Sequence, residues 1–147
     1  MGTFPEKMII PVKTLHTGFS LPVFGFGTWL IGGNHHKNPL NPDQVQITAI
    51  KRAIDIGITH IDTAELYASG HAEEIVATAI KNYDRKKLFI VSKVLPSHLK
   101  YDDLLRSFAA SLKRLKTDYL DLYLVHMPNH QIPLIQTIKA MDKLKKE

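Results

Sequence analysis

Apolar positions along the chain fall into two alternating patterns, short runs that are apolar on both faces and longer stretches with helical spacing. Ile9 to Val23 alternates loosely and is broken by His16-Thr17-Gly18, which predicts a small hairpin. Phe24-Gly25-Phe26-Gly27-Thr28-Trp29 reads as a strand whose glycines leave one edge open to a ligand or another backbone. Ile31 to Pro42, rich in Gly, Asn, His and Pro, reads as a loop. A helix follows, with Asn41 as N-cap, Pro42 at its first position and Gln44 completing a capping box. Ile47, Ile50 and Ile54 recur at helical spacing until Gly57 stops it.

The alternation then repeats. Ile58 to Ala64 is a predicted strand, and Ala72 to Tyr83 a helix with Glu73 and Glu74 in its first turn. Leu88 to Val94 is a strand. Asp102 to Lys116 is an amphipathic helix whose expected buried stripe is Leu105, Phe108, Ala109, Leu112 and Leu115. Tyr119 to Met127 is a further strand, and a last helix begins at Ile132. Strands apolar on both faces, alternating with amphipathic helices, predict an α/β fold with a parallel sheet covered by helices. An open doubly wound sheet and a (β/α)8 barrel both meet that description. The glycine strand lacks the third glycine of a dinucleotide fingerprint and is not followed at once by a helix, which disfavours the doubly wound form. A full barrel needs about 250 residues. The 147 residues supply about the first four βα units plus an N-terminal hairpin, read as one domain over 1–147 with no second domain.

Composition narrows the function classes. Hydrophobic residues make up 44% and charged residues 22%, the balance of a folded globular chain. The net charge of +5 is spread over several segments, so a nucleic-acid partner is not expected, whereas an anionic small molecule suits it. Cysteine is absent, which rules out disulfides and thiolate metal sites, and no metal is expected. The polar start Met1 to Lys7 leads into no signal-peptide core, and no run approaches a membrane span. A cytoplasmic location without membrane association is the expectation.

Four polar groups fall where predicted strands end. Asp62 closes one strand, Tyr67 lies on the loop after it, Lys93 closes the next, and His126 follows the last. In a parallel βα sheet these ends gather at one face. Each has an ordinary structural role when taken singly: a turn cap, a packed rim residue, a snorkelling lysine, a satisfied imidazole. Together they outline a site. A buried lysine needs a carboxylate, which Asp62 can supply. An ammonium beside a phenol eases loss of its proton, so Tyr67 becomes a usable proton donor, with His126 available to orient a carbonyl.

These residues carry a resemblance. Gly57-Ile58-Thr59-His60-Ile61-Asp62-Thr63-Ala64-Glu65-Leu66-Tyr67 resembles the aspartate–tyrosine signature of the aldo-keto reductases. Ile90 to Val94 resembles that family's catalytic-lysine strand, and Asp121 to Pro128 its histidine strand. Phe24 to Trp29 resembles the first barrel strand, preceded by the bottom-sealing hairpin. His71 and Met127 depart from the pattern, where a small polar residue or Asn and a Trp are expected, and both bear on substrate preference. The resemblance implies NADPH-dependent reduction of an aldehyde or ketone, with NADH left open. Asp62, Tyr67, Lys93 and His126 would be catalytic; Gly27, Thr28 and Asp62 would lie at the nicotinamide, and Trp29 and His126 at the substrate.

The same resemblance places the residues that hold the carboxamide, stack on the nicotinamide and grip the adenosine phosphate on later strands. The expectation is therefore a truncated barrel, inactive alone, that self-associates through its open edges. Two other functions are weighed. A Schiff-base aldolase would use Lys93 as nucleophile, although a lysine held as an ammonium by Asp62 is poorly suited to attack. A non-catalytic subunit of this fold would bind nucleotide or a partner without turnover.

Overall fold

The computed structural model describes residues 7–147; the polar start, Met1 to Glu6, lies outside the described residues. A hairpin comes first, β1 (Val12–Thr14) antiparallel to β2 (Ser20–Pro22). Four βα units follow: β3 (Gly25–Gly27) and α1 (Asp43–Asp55), β4 (His60–Asp62) and α2 (His71–Ile80), β5 (Phe89–Val94) and α3 (Tyr101–Leu115), β6 (Leu122–Val125) and α4 (Leu134–Lys146). The sheet runs β3-β4-β5-β6, each strand parallel to its neighbour. Among the described residues, no helix is long and apolar enough to cross a membrane.

Strand alternation sorts the side chains into two populations. Ile61, Ile90, Ser92 and Val94 are fully covered, and Ile61 and Ile90 join Ile47, Ile50, Ile54, Ile75, Val76 and Leu115 in one core between sheet and helices. The registers Gly27 to Asp62, Asp62 to Val91 and Lys93 to Leu124 put the other residues on the opposite face, the concave side of a barrel. That face is only half enclosed, and Leu124 is 37% exposed. At the N-terminal ends of the strands, Phe19 of the hairpin packs edge-on against Phe89 with centroids 5.9 Å apart, and His60 packs on the same ring at 5.0 Å. The hairpin therefore covers the end opposite the candidate site.

Local chemistry departs from expectation at three points. Pro42, not Asn41, occupies the N-cap of α1, and no side chain caps that helix. Asn41 instead donates through Nδ2 to the carbonyl of Leu30 at 3.3 Å, while Gln44 donates to Thr48 within the helix. The helix expected from Ala72 to Tyr83 begins at His71, after a tight turn over Tyr67–Gly70, and ends at Ile80. The buried face of α3 is rotated by about one position: Leu104, Ser107, Ser111 and Leu115 are buried, and Ala109 is exposed. Two serines face inwards there: Ser107 donates to the Glu65 carboxylate, and Ser111 accepts from Arg114.

Candidate active site

The C-terminal ends of β4, β5 and β6 bring the four predicted groups together. Lys93, on the concave face of β5, extends Nζ to Asp62 Oδ1 at 2.5 Å, the Thr63 carbonyl at 2.9 Å and Tyr67 Oη at 3.1 Å. Its three donors thus meet three oxygens, which fixes the ammonium in place. The Lys93 side chain is 14% exposed and that of Asp62 36%, so the pair opens towards solvent on the carboxylate side.

Tyr67 is buried between two other rings. Trp29 meets it edge-on at 4.9 Å and His126 at 5.6 Å, nearly perpendicular. His35 extends the aromatic wall, 5.6 Å from Trp29. The backbone N–H of His126 donates to Val94, continuing the β5–β6 ladder past the strand and aiming the ring at Tyr67. Burial, and then the nearby Lys93 charge, hold the His126 imidazolium less stable than usual, below the ordinary value of 6.5. The ring is therefore neutral at neutral pH. Its Nδ1 is buried without a protein partner among the described residues.

Of the residues expected at a cofactor, Gly27 has open space where a side chain would stand. Thr28 is different. It is fully buried, and both its N–H (2.9 Å) and its Oγ1 (3.0 Å) donate to the Asp62 carbonyl. Thr28 therefore fixes the backbone of Asp62, the residue it was expected to join at the nicotinamide. Trp29 is 44% exposed at the mouth of the site.

Sequence reasoning missed the layer behind the site. Glu65 accepts from Leu95 N–H (2.6 Å) and Ser107 Oγ (2.9 Å), and His98 Nδ1 lies at 3.2 Å. Glu73, expected only to favour its helix end, is 0% exposed and accepts from Ser92 Oγ (2.6 Å) and Arg114 Nε (2.5 Å). Tyr123 is packed against these charges with its hydroxyl buried, and burial, then Glu65 and Glu73, push its phenol far up. The sequence offered no signal for this layer, since Ser107 and Ser111 stand outside the apolar stripe expected of α3.

Comparison with known proteins agrees with the geometry. The family model for the aldo/keto reductase family matches residues 23–147. Methylglyoxal reductase YeaE of Escherichia coli (strain K12) is 41% identical over 125 residues, covering 85% of this chain and 42% of that enzyme. Among solved structures, the thermostable aldo-keto reductase Tm1743 in complex with the inhibitor epalrestat superposes with a TM-score of 0.87 at 51% identity, covering 91% of this chain and 49% of that one. The Klebsiella pneumoniae aldo-keto reductase in complex with NADPH gives 0.80 at 40% identity, covering 95% and 46%. This chain spans less than half the length of each of these relatives. The chain belongs to the aldo/keto reductase family of oxidoreductases, and its described residues form four consecutive βα units of a (β/α)8 barrel with the hairpin that precedes them.

Proposed function

We propose that these residues carry the proton-transfer half of an NADPH-dependent aldehyde or ketone reductase, within a single barrel domain of which residues 1–147 form part. The observation that carries this is the Lys93 ammonium bridging Asp62 Oδ1 and Tyr67 Oη. The open flank of Gly27 and the half-exposed Asp62 suit the nicotinamide end of the cofactor, which supplies the hydride when bound. Tyr67 Oη donates its proton to the carbonyl oxygen, and Lys93 Nζ stabilises the negative charge left on the phenol. Asp62 keeps Lys93 charged and in register. Neutral His126 hydrogen-bonds the carbonyl oxygen and aligns it with Oη, while Trp29 walls the substrate side. The three acceptors around Nζ also argue against Schiff-base chemistry, which needs a free neutral amine. Relatives of similar sequence include methylglyoxal reductases, so small aldehydes are the first substrates to try.

Cofactor grip and the remaining barrel wall lie outside these residues, so the 147-residue chain alone is expected to bind NADPH weakly and to show no turnover. The test is a graft. Residues 7–147 replace the matching half of the thermostable reductase, and NADPH consumption with methylglyoxal is followed for the graft and for the chain alone. Turnover in the graft that is abolished by Tyr67→Phe is the expected result. A graft that folds, binds NADPH and reduces no aldehyde or ketone would count against the proposal, as would turnover by the chain alone.

A further inference from the structure

Between sheet and helices lies a set of buried charges that the proton-transfer scheme does not use. Glu65 and Glu73 sit there with Arg114, whose Nε donates to Glu73 at 2.5 Å and whose Nη2 donates to Ser111 Oγ at 3.1 Å and lies 3.9 Å from Glu65 Oε2. Buried ion pairs are weak devices for stability, because packed apolar residues of similar volume often serve as well. Their contacts converge on one place, the turn that carries Tyr67.

That turn is strained. Ala68, Ser69 and Gly70 all have left-handed backbone, with φ of 49°, 55° and 89°. Two of the three are L-residues, which visit this region rarely and need their surroundings to hold them there. Arg114 supports the turn from below: a Cβ on Gly70 would fall 2.6 Å from its Nε and 2.7 Å from its Cδ. Glu73 ties the helix after the turn to Ser92, the neighbour of Lys93 on β5. Glu65 ties the residues before the turn to the end of β5, through its carboxylate to Leu95 N–H at 2.6 Å and through its own N–H to the Lys93 carbonyl at 3.4 Å. Both ends of the Tyr67 turn are thereby fastened to the strand that carries Lys93.

We propose that Glu65, Glu73 and Arg114 are positioning residues, which hold the left-handed turn so that Tyr67 Oη stays within hydrogen-bond reach of Lys93 Nζ. The catalytic meaning of that role rests on the reductase function proposed above; the mechanical role does not. It can be read in the 147-residue chain itself, whose single tryptophan, Trp29, packs on the Tyr67 ring. Hydrogen exchange at Ala68, whose N–H donates to the Asn34 carbonyl at 2.7 Å, reports the turn directly. Three variants are compared: Arg114→Met, the charge-balanced double variant Glu73→Gln with Arg114→Met, and Arg114→Lys.

In Arg114→Met, Ala68 should exchange about tenfold faster or more relative to the core amides of Ile90 and Val91. The double variant should recover part of the melting temperature, since the Glu73 carboxylate is no longer left unpaired, yet keep the fast Ala68 exchange and a shifted Trp29 emission. Arg114→Lys keeps the charge but not the flat group under Gly70, and should fall between. Wild-type Ala68 exchange and Trp29 emission in every variant that folds would overturn the proposal and leave the network a purely structural one. Failure of the reductase function would appear differently, as an inactive graft with an intact Tyr67 turn.

Discussion

Replacing Lys93 with Met in the grafted barrel separates the chemistry of the ammonium from its structural contribution. Nζ lies 3.1 Å from Tyr67 Oη. A full negative charge on that oxygen would interact with the ammonium by roughly 5 kcal/mol at an effective dielectric of about 20. Charge in the transition state is partial, and Asp62 competes for the same cation at 2.5 Å. Removal of one preorganised donor costs about 2.7–4 kcal/mol at comparable sites, so kcat should fall by a factor of roughly 100–1,000. Stability should fall only modestly. The Met side chain keeps most of the apolar stem, and Asp62, 36% exposed, turns to water when its partner leaves. The pair contributes about 1 kcal/mol on its exposed carboxylate side, and the Thr63 carbonyl, which loses its donor, adds about 1 kcal/mol or more. The assay is steady-state NADPH consumption with methylglyoxal, set beside a urea unfolding curve of the same preparation. A kcat within about fivefold of the parent, with an unchanged unfolding midpoint, would refute the assigned role of Lys93. A large loss of both would instead assign Lys93 to structure.

Gly70→Ala should destabilise the chain by more than about 1 kcal/mol, because φ is 89° and the new methyl meets Arg114 at 2.6 Å; urea unfolding measures it. His126 gives a pH dependence of defined sign. Its folded value lies below 6.5, under burial and the Lys93 charge and despite Asp62 and Glu65, so below pH 6.5 the unfolded chain takes up the proton and the folded chain resists it. Stability should therefore fall as pH drops from 6.5 towards the depressed folded value, and His126→Phe should lessen that slope in unfolding curves taken across this range. At the sheet edge, β3 and β6 each pair on one side only, with Leu124 and Val125 exposed. The 147-residue chain should thus self-associate in sedimentation, and Leu124→Lys should reduce the associated fraction.

Much of the fold was legible because its determinants are local. Helix-period isoleucines in α1 and the doubly apolar β5 identify their elements without reference to anything distant. Strand ends were harder. The runs expected from Phe24 to Trp29 and from Tyr119 to Met127 form regular strand only over Gly25–Gly27 and Leu122–Val125, because ladder length is set by the neighbouring strand. The Asn41 cap was misread for a similar reason. Asn and Asp satisfy whichever backbone group lies nearest, and for Asn41 that group is the Leu30 carbonyl in the folded loop.

At the candidate site the division is sharper, and it follows the direction in which side chains point. Lys93 and His126 could be found because each ends an apolar stripe, which reads as an anomaly in one dimension, and Asp62 because a carboxylate closes its strand. Glu65, Glu73 and Arg114 carry no such mark. Glu73 and Arg114 stand in helix end turns, where acid first and base last is the ordinary pattern of a solvated helix. Only the third dimension turns them inwards, where Glu73 is 0% exposed and Ser107 and Ser111 displace the expected apolar face of α3. A carboxylate taken out of water must be paired at once, and here its partners come from β5 and α3, 19 and 41 residues distant in the chain. The strain in the Tyr67 turn and the charges that hold it therefore belong together. A left-handed run in residues other than glycine persists only where the surroundings over-determine it, and this network supplies ties on both sides of the phenol.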